Sequence, residues 1–182
     1  MGGNKCLRST DPDTGNADAI STARAIAAAG TKQADDLIIC GTERTDGYSG
    51  AGPGQLAVLL GWPLLSFAKK IDVGDGKVTI DRQTDDGYDV VEAPLPSVVT
   101  VTGGINEARY PSLRGIMQAK NKEVKQVSTA DLGLAGRVGK EALTQAVVAV
   151  TPAEARKAGE VVEDKGEGGK HVAGFLAEWK RL

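Results

Sequence analysis

Residues 36–60, DLIICGTERTDGYSGAGPGQLAVLL, constrain the fold of this chain more than any other stretch. Leu37, Ile38, Ile39 and Cys40 form a short continuous apolar run, as expected of a strand in a parallel sheet covered on both faces. Periodicity alone leaves a buried helix segment open. Gly41 breaks the run and a polar loop follows over 42–52. Pro53 suits the first turn of a helix, because the amide it lacks would have no intrahelical partner there. The residues from Gln55 to Leu60 are mostly good helix formers, and Gly61 followed by Pro63 is a stop signal. A strand, a glycine-rich loop and a helix start present free amides and the positive end of a helix dipole, which together favour a phosphate. Ser49, Gly50, Ala51 and Gly52 are small enough to let one approach the backbone. The loop is neither the dinucleotide fingerprint nor the P-loop, since no Lys-Ser/Thr follows the glycines. A plain strand-to-helix turn is the competing reading of the same pattern.

Residues 1–15 carry turn chemistry and little to bury besides Cys6 and Leu7, which predicts an irregular terminus. Asn16 or Asp18 can cap a helix running to about Ala29, with Ile20, Ala23, Ile26 and Ala27 on one face and Gly30 closing it. After Pro63 the pattern turns to strands. Residues 64–68 lead into 69–73, Gly74-Asp75-Gly76 marks a hairpin, 77–82 alternates polar and apolar, and Asp85-Asp86-Gly87 turns into 88–92. The 97–102 run is β-rich. Leu113, Ile116 and Met117 lie at helical spacing, the pattern of a core-facing stripe. Further strands are predicted at 124–127 and 147–150. Val172, Phe175, Leu176 and Trp179 form a terminal amphipathic stripe.

Several of these runs resemble the electron-transfer flavoprotein β subunit. Gly41-Thr42-Glu43-Arg44-Thr45-Asp46-Gly47, with Gly54 and Leu60-Gly61-Trp62-Pro63, is similar to that family's nucleotide loop. Asn106 to Lys120, NEARYPSLRGIMQAK, resembles the family signature more closely. Leu95-Pro96-Ser97-Val98-Val99-Thr100-Val101, the 129–133 run and Gly166-Glu167-Gly168-Gly169 follow in family order, so the resemblance covers about residue 16 onward. It implies an α/β fold with a Rossmann-like, three-layer parallel sheet of the adenine-nucleotide α-hydrolase-like type. An antiparallel β meander is inserted in it, and a C-terminal helical arm embraces a larger subunit. The expected division is an irregular terminus over 1–15, a nucleotide-binding α/β domain over 16–150 and an arm over 151–182. Family members carry a further strand-helix-strand portion ahead of this helix, so the N-terminal strands are expected to be missing. A truncated copy, a fragment or a mis-started reading frame would each account for that.

The resemblance further implies an electron-carrier subunit of a heterodimer whose α subunit holds most of an FAD. AMP would be bound structurally by Gly41, Thr42, Glu43, Thr45, Asp46, Ser49, Gly50 and Gly52. Leu113 stands where the family places an exposed leucine that docks into dehydrogenases. Arg109, Arg114, Ile116, Met117 and Lys120 complete that surface, although the spacing of Ile116 and Met117 also fits the core. Electrons would come from acyl-CoA dehydrogenase-type flavoproteins of fatty acid oxidation and pass to a membrane quinone reductase. Gln83 stands where some members carry a glutamate that pairs with an arginine of the flavin domain, and a neutral amide cannot form that ion pair. An adenine-nucleotide-binding module without a flavin partner, and a non-functional fragment, are the alternatives.

Composition excludes other classes. With 22 Lys+Arg against 24 Asp+Glu, the net charge of −2 offers no broad basic surface for nucleic acid. One histidine (His171) and two distant cysteines (Cys6 and Cys40) support neither a Ser-His-Asp triad nor a zinc site. The acidic pairs Asp85-Asp86 and Asp72/Asp75 fall in predicted turns, where they are turn formers rather than acid/base dyads. No enzymatic site is expected, and the default compartment is a reducing bacterial cytoplasm.

Overall fold

A computed structural model describes residues 3–14, 17–33, 35–43, 48–139, 142–155, 159 and 161–179. They fall in two compact units, Met1–Ala146 and Val147–Leu182. The elements of the first unit are β1 (Cys6–Ser9), α1 (Ala19–Gln33), β2 (Leu37–Gly41), α2 (Gly52–Leu60) and β3 (Leu64–Gly74). After these come β4 (Lys77–Gln83), β5 (Tyr88–Pro94), β6 (Ser97–Val101), α3 (Leu113–Ala119) and β7 (Val124–Val127). Five strands form one mixed sheet in the order β2-β6-β3-β4-β5. β2, β6 and the first half of β3 run parallel, whereas β3, β4 and β5 form an antiparallel meander. The glycine turns at 74–76 and 85–87 produce the two hairpins that the sequence predicts.

The sheet buries a core on each face. Toward the helices, Val98 packs with Ala27, Leu56 and Ala57, flanked by Ile38, Cys40, Leu60 and Trp62. On the opposite face Leu65, Ala68, Val78, Ile80 and Val99 pack together, with Leu95 and Ile105 against them. The predicted cover on both sides of β2 is only partly present, because Ile39 is exposed at the sheet edge.

Helix α1 runs past the predicted stop. Gly30 does not end it but lies buried inside it, where an added Cβ would stand 3.4 Å from Ile38 Cδ1. The glycine lets the helix lie close on β2, which outweighs its low helix propensity. Ile26, predicted on the buried face, is half-exposed. The helix is instead packed on two sides. Ala27 faces the sheet core, while Ala25, Ala28 and Ala29 lie against Leu132, Leu134 and Val138.

Residues 1–15 are not wholly irregular. Cys6–Ser9 pairs in parallel with β7 as a separate two-stranded sheet, and a 3-10 turn follows at Pro12–Thr14. The Asp11 carboxylate accepts the amide and hydroxyl of Thr129 at 2.9 and 2.8 Å, tying this segment to residues beyond β7. A four-residue strand with mostly exposed side chains leaves no hydrophobic alternation to read. Its pairing is a long-range effect.

The register of β3 breaks between Leu65 and Ala68, where three steps along β3 match two along β6, from Val99 to Val101. The extra residue is accommodated by a left-handed backbone at Phe67 (φ 59°), a costly conformation for a bulky side chain. Buried Thr100 holds it by accepting the Phe67 amide on Oγ1 at 2.9 Å. Thr100→Val keeps the shape and removes the acceptor. It is expected to lower unfolding stability by about 1 kcal/mol in urea titration. An unchanged midpoint would mean that the hydroxyl does not hold the bulge.

In the second unit the predicted strand at 147–150 is absent: those residues are non-regular and the valines exposed. Branched residues in a row have strand propensity, but here no described strand pairs with them. The helix predicted from the apolar stripe is present as α4 (Gly168–Glu178), with Phe175 and Trp179 rings 5.8 Å apart. Asp164 accepts the amides of Gly168 and Gly166, and those bonds hold its carboxyl below the usual aspartate range. A Cβ on Gly168 would stand 2.7 Å from that carboxylate carbon, so the glycine makes the cap possible.

Candidate functional site

The register aligns Gly41 of β2 with Val101 of β6, and Val101 with Ala68 of β3, so the parallel pairings end level with one another while β3 continues into the meander. Open α/β sheets bind ligands outside the carboxyl ends of such strands. A cleft of about 150 Å³ opens there. Its walls are the first two turns of both helices: Ala19, Thr22, Ala23 and Ile26 from α1, and Gly52, Pro53 and Leu56 from α2. Cys40 and Gly41 form the floor, and Thr42, Glu43, Ser49 and Gly50 the remaining rim. Burial pushes the Cys40 thiol up, which keeps it a neutral wall atom. The loop is anchored at its root, where Thr42 Oγ1 donates to the Val101 carbonyl at 2.9 Å.

The two helix starts differ. At α1, Asp18 accepts the Ser21 amide at 2.9 Å and so supplies the anion that the dipole favours. At α2, Ala51 caps without a side-chain hydrogen bond and Pro53 follows in the first turn. The second start therefore retains amide capacity for an anion from outside. Gly50, at φ 62°, takes the left-handed turn that brings the loop onto the helix.

Of the predicted nucleotide residues, Gly41, Thr42, Glu43, Ser49, Gly50 and Gly52 all line this one cleft. Thr45 and Asp46 lie outside the described residues. The sequence reading missed the α1 side of the cleft. Ala23 and Ile26 were legible as part of a helix face, Thr22 was not, and no local signal says that this side of the helix turns toward the loop.

The second predicted surface is separate in sequence and chemistry. The Ser112 hydroxyl caps α3 by accepting the Gly115 amide at 3.1 Å. None of the helix is buried: Leu113 is 80% exposed and Met117 67%, with Tyr110 just ahead at 97%. The core placement predicted for Ile116 and Met117 is thus overturned. Their helical spacing is real, but the helix presents the stripe to solvent among Arg109, Arg114 and Lys120. Among the described residues no cluster of metal-ligating side chains occurs, and no helix is long and apolar enough to cross a membrane.

An α/β sheet with a cleft at the ends of its parallel strands defines the class of protein, and comparison with known proteins defines the family. Residues 1–132 match the electron transfer flavoprotein domain. The electron transfer flavoprotein subunit beta of Mycobacterium bovis is 41% identical over 182 residues, covering 99% of this chain and 68% of that protein. The subunit beta of Megasphaera elsdenii is 34% identical over 137 residues, covering 71% of this chain and 51% of its own length. The mitochondrial subunit beta of Oryza sativa is 32% identical over 148 residues, with 81% and 56% covered. The chain belongs to the electron transfer flavoprotein β-subunit family, whose role is flavin-linked electron transfer.

Proposed function

We propose that this chain is the non-catalytic half of a cytoplasmic, heterodimeric electron carrier. It pairs with an α subunit that holds most of the FAD, binds AMP as a structural ligand, and docks flavin dehydrogenases. Its sheet corresponds to the Rossmann-like, three-layer core of that family. Electrons arrive from acyl-CoA dehydrogenase-type proteins and leave toward a membrane quinone reductase. The flavin supplies the redox chemistry, and the chain supplies position and electrostatics.

The observation that carries the reading is the pairing of an open cleft with an α2 start that has no side-chain cap. The residues present fit AMP. Ile26, Leu56 and Ala23 offer apolar walls for a base, and the small residues Ser49, Gly50 and Gly52 leave the backbone accessible to one phosphate. Thr45 and Asp46 complete the proposed loop. Arg109, Leu113, Arg114, Ile116, Met117 and Lys120 form the proposed docking surface, an apolar anchor within a basic rim.

Co-expression with a candidate α subunit tests this directly. A yellow, stoichiometric complex containing AMP is expected on purification, by visible absorption and nucleotide analysis. A colourless chain that retains AMP would favour a nucleotide-binding module instead, and an insoluble one a non-functional fragment. Leu113→Ala is expected to slow electron transfer from dehydrogenases at least tenfold while leaving the flavin spectrum unchanged. Equal rates with every dehydrogenase would remove the docking assignment.

A further inference from the structure

We propose that Glu43 is a charge filter that restricts the cleft to nucleoside monophosphates, an inference that rests on the nucleotide-binding reading above. Glu43 is the one charged side chain among the described residues of the cleft wall. Its Oε1 lies 3.3 Å from where a Cβ on Gly50 would stand, so the carboxylate faces the backbone leading into α2. Glu43 is exposed, and no described residue donates a hydrogen bond to its carboxylate or pairs with it. The position is fixed from behind, because the neighbouring Thr42 hydroxyl is spent on the Val101 carbonyl.

A negative group at this place acts unequally on different ligands. One phosphate can settle on the α2 amides at a modest electrostatic cost. A second or third brings more negative charge to the same rim, and the described wall has no lysine or arginine to offset it. The repulsion grows with ligand charge and, at an exposed rim, weakens with salt. Adenosine carries no charge and is indifferent to it.

The test measures binding of adenosine, AMP, ADP and ATP to the full chain and to Glu43→Gln by calorimetry. A chelator is present, so that no divalent cation masks the polyphosphates. Wild type is expected to prefer AMP over ADP by about tenfold at low salt, a ratio one charge-charge interaction can supply. In Glu43→Gln the gain in affinity, taken relative to adenosine, should rise in the order AMP, ADP, ATP and shrink as salt is added. A variant that alters all four ligands by one common factor would overturn the filter. Loss of adenosine and AMP together would overturn it too, by showing that the carboxylate holds the nucleoside. If wild type binds AMP and the selectivity is flat, only the filter fails. If neither protein binds any nucleotide while circular dichroism shows both folded, the cleft assignment fails with it.

Discussion

Truncating Leu65 to alanine is expected to destabilise the first unit by about 3 kcal/mol, measured as a lowered urea midpoint with an unchanged slope. Leu65 is 1% exposed and is the largest side chain in its cluster together with Ile80. It stands on β3 opposite Val99, where the parallel half of the sheet meets the meander through a single strand. A cavity there borders Ala68, Val78, Ile80 and Val99, four residues contributed by three strands, so no one element can close it by shifting. The next residue provides the control. Leu64 points away and is more than a third exposed, so Leu64→Ala is expected to cost less than about 1 kcal/mol. Equal losses at the two positions would contradict the assigned faces of β3.

The second large effect concerns Asp18. Its carboxylate caps α1 through the Ser21 amide and also accepts the amide and hydroxyl of Thr144 at 2.8 and 2.7 Å. Burial alone would raise its pKa, but the Thr144 and Ser21 hydrogen bonds outweigh it and hold the carboxyl far below the usual range. A depressed folded-state pKa contributes stability that is complete above the unfolded value of 3.8 and is lost progressively as pH falls below it. Asp18→Asn is expected to cost about 2 kcal/mol at neutral pH, because hydrogen bonds to a charged acceptor are the stronger kind. From about pH 5 downward wild type should lose that advantage progressively, with part of it still present at pH 2 because the folded-state carboxyl is not yet protonated there. Parallel stability curves down to low pH would show that the carboxylate is not what binds Thr144.

What was legible from the sequence was local. The apolar run at 37–40, Pro53, Gly61 and the two glycine turns each act through neighbours a few residues away, and the elements they announce are present. The cleft-lining residues Ser49, Gly50 and Gly52 were legible for the same reason, as they lie within four positions of one another. Three features were not, and each depends on distant partners. Strand β1 exists through its pairing with β7. Gly30 resembles a helix stop until β2 lies beneath it. Ile116 and Met117 have core spacing, yet spacing does not say whether anything comes to cover the face.

The placement of α1 between two cores has a consequence for how this chain can change over generations. Ala27 on one side meets the sheet core and Ala25, Ala28 and Ala29 on the other lie against Leu132, Leu134 and Val138, so neither of these two flanks has room for a bulky replacement. An enlarged residue at Ala27 pushes on the sheet side, and one at Ala28 pushes on the other; either displaces the rod as a whole. Residues at both contacts are therefore bound to a shared inheritance. Substitutions in the 132–138 segment should be accompanied, across descendants, by compensating ones in β2, α2 or β6.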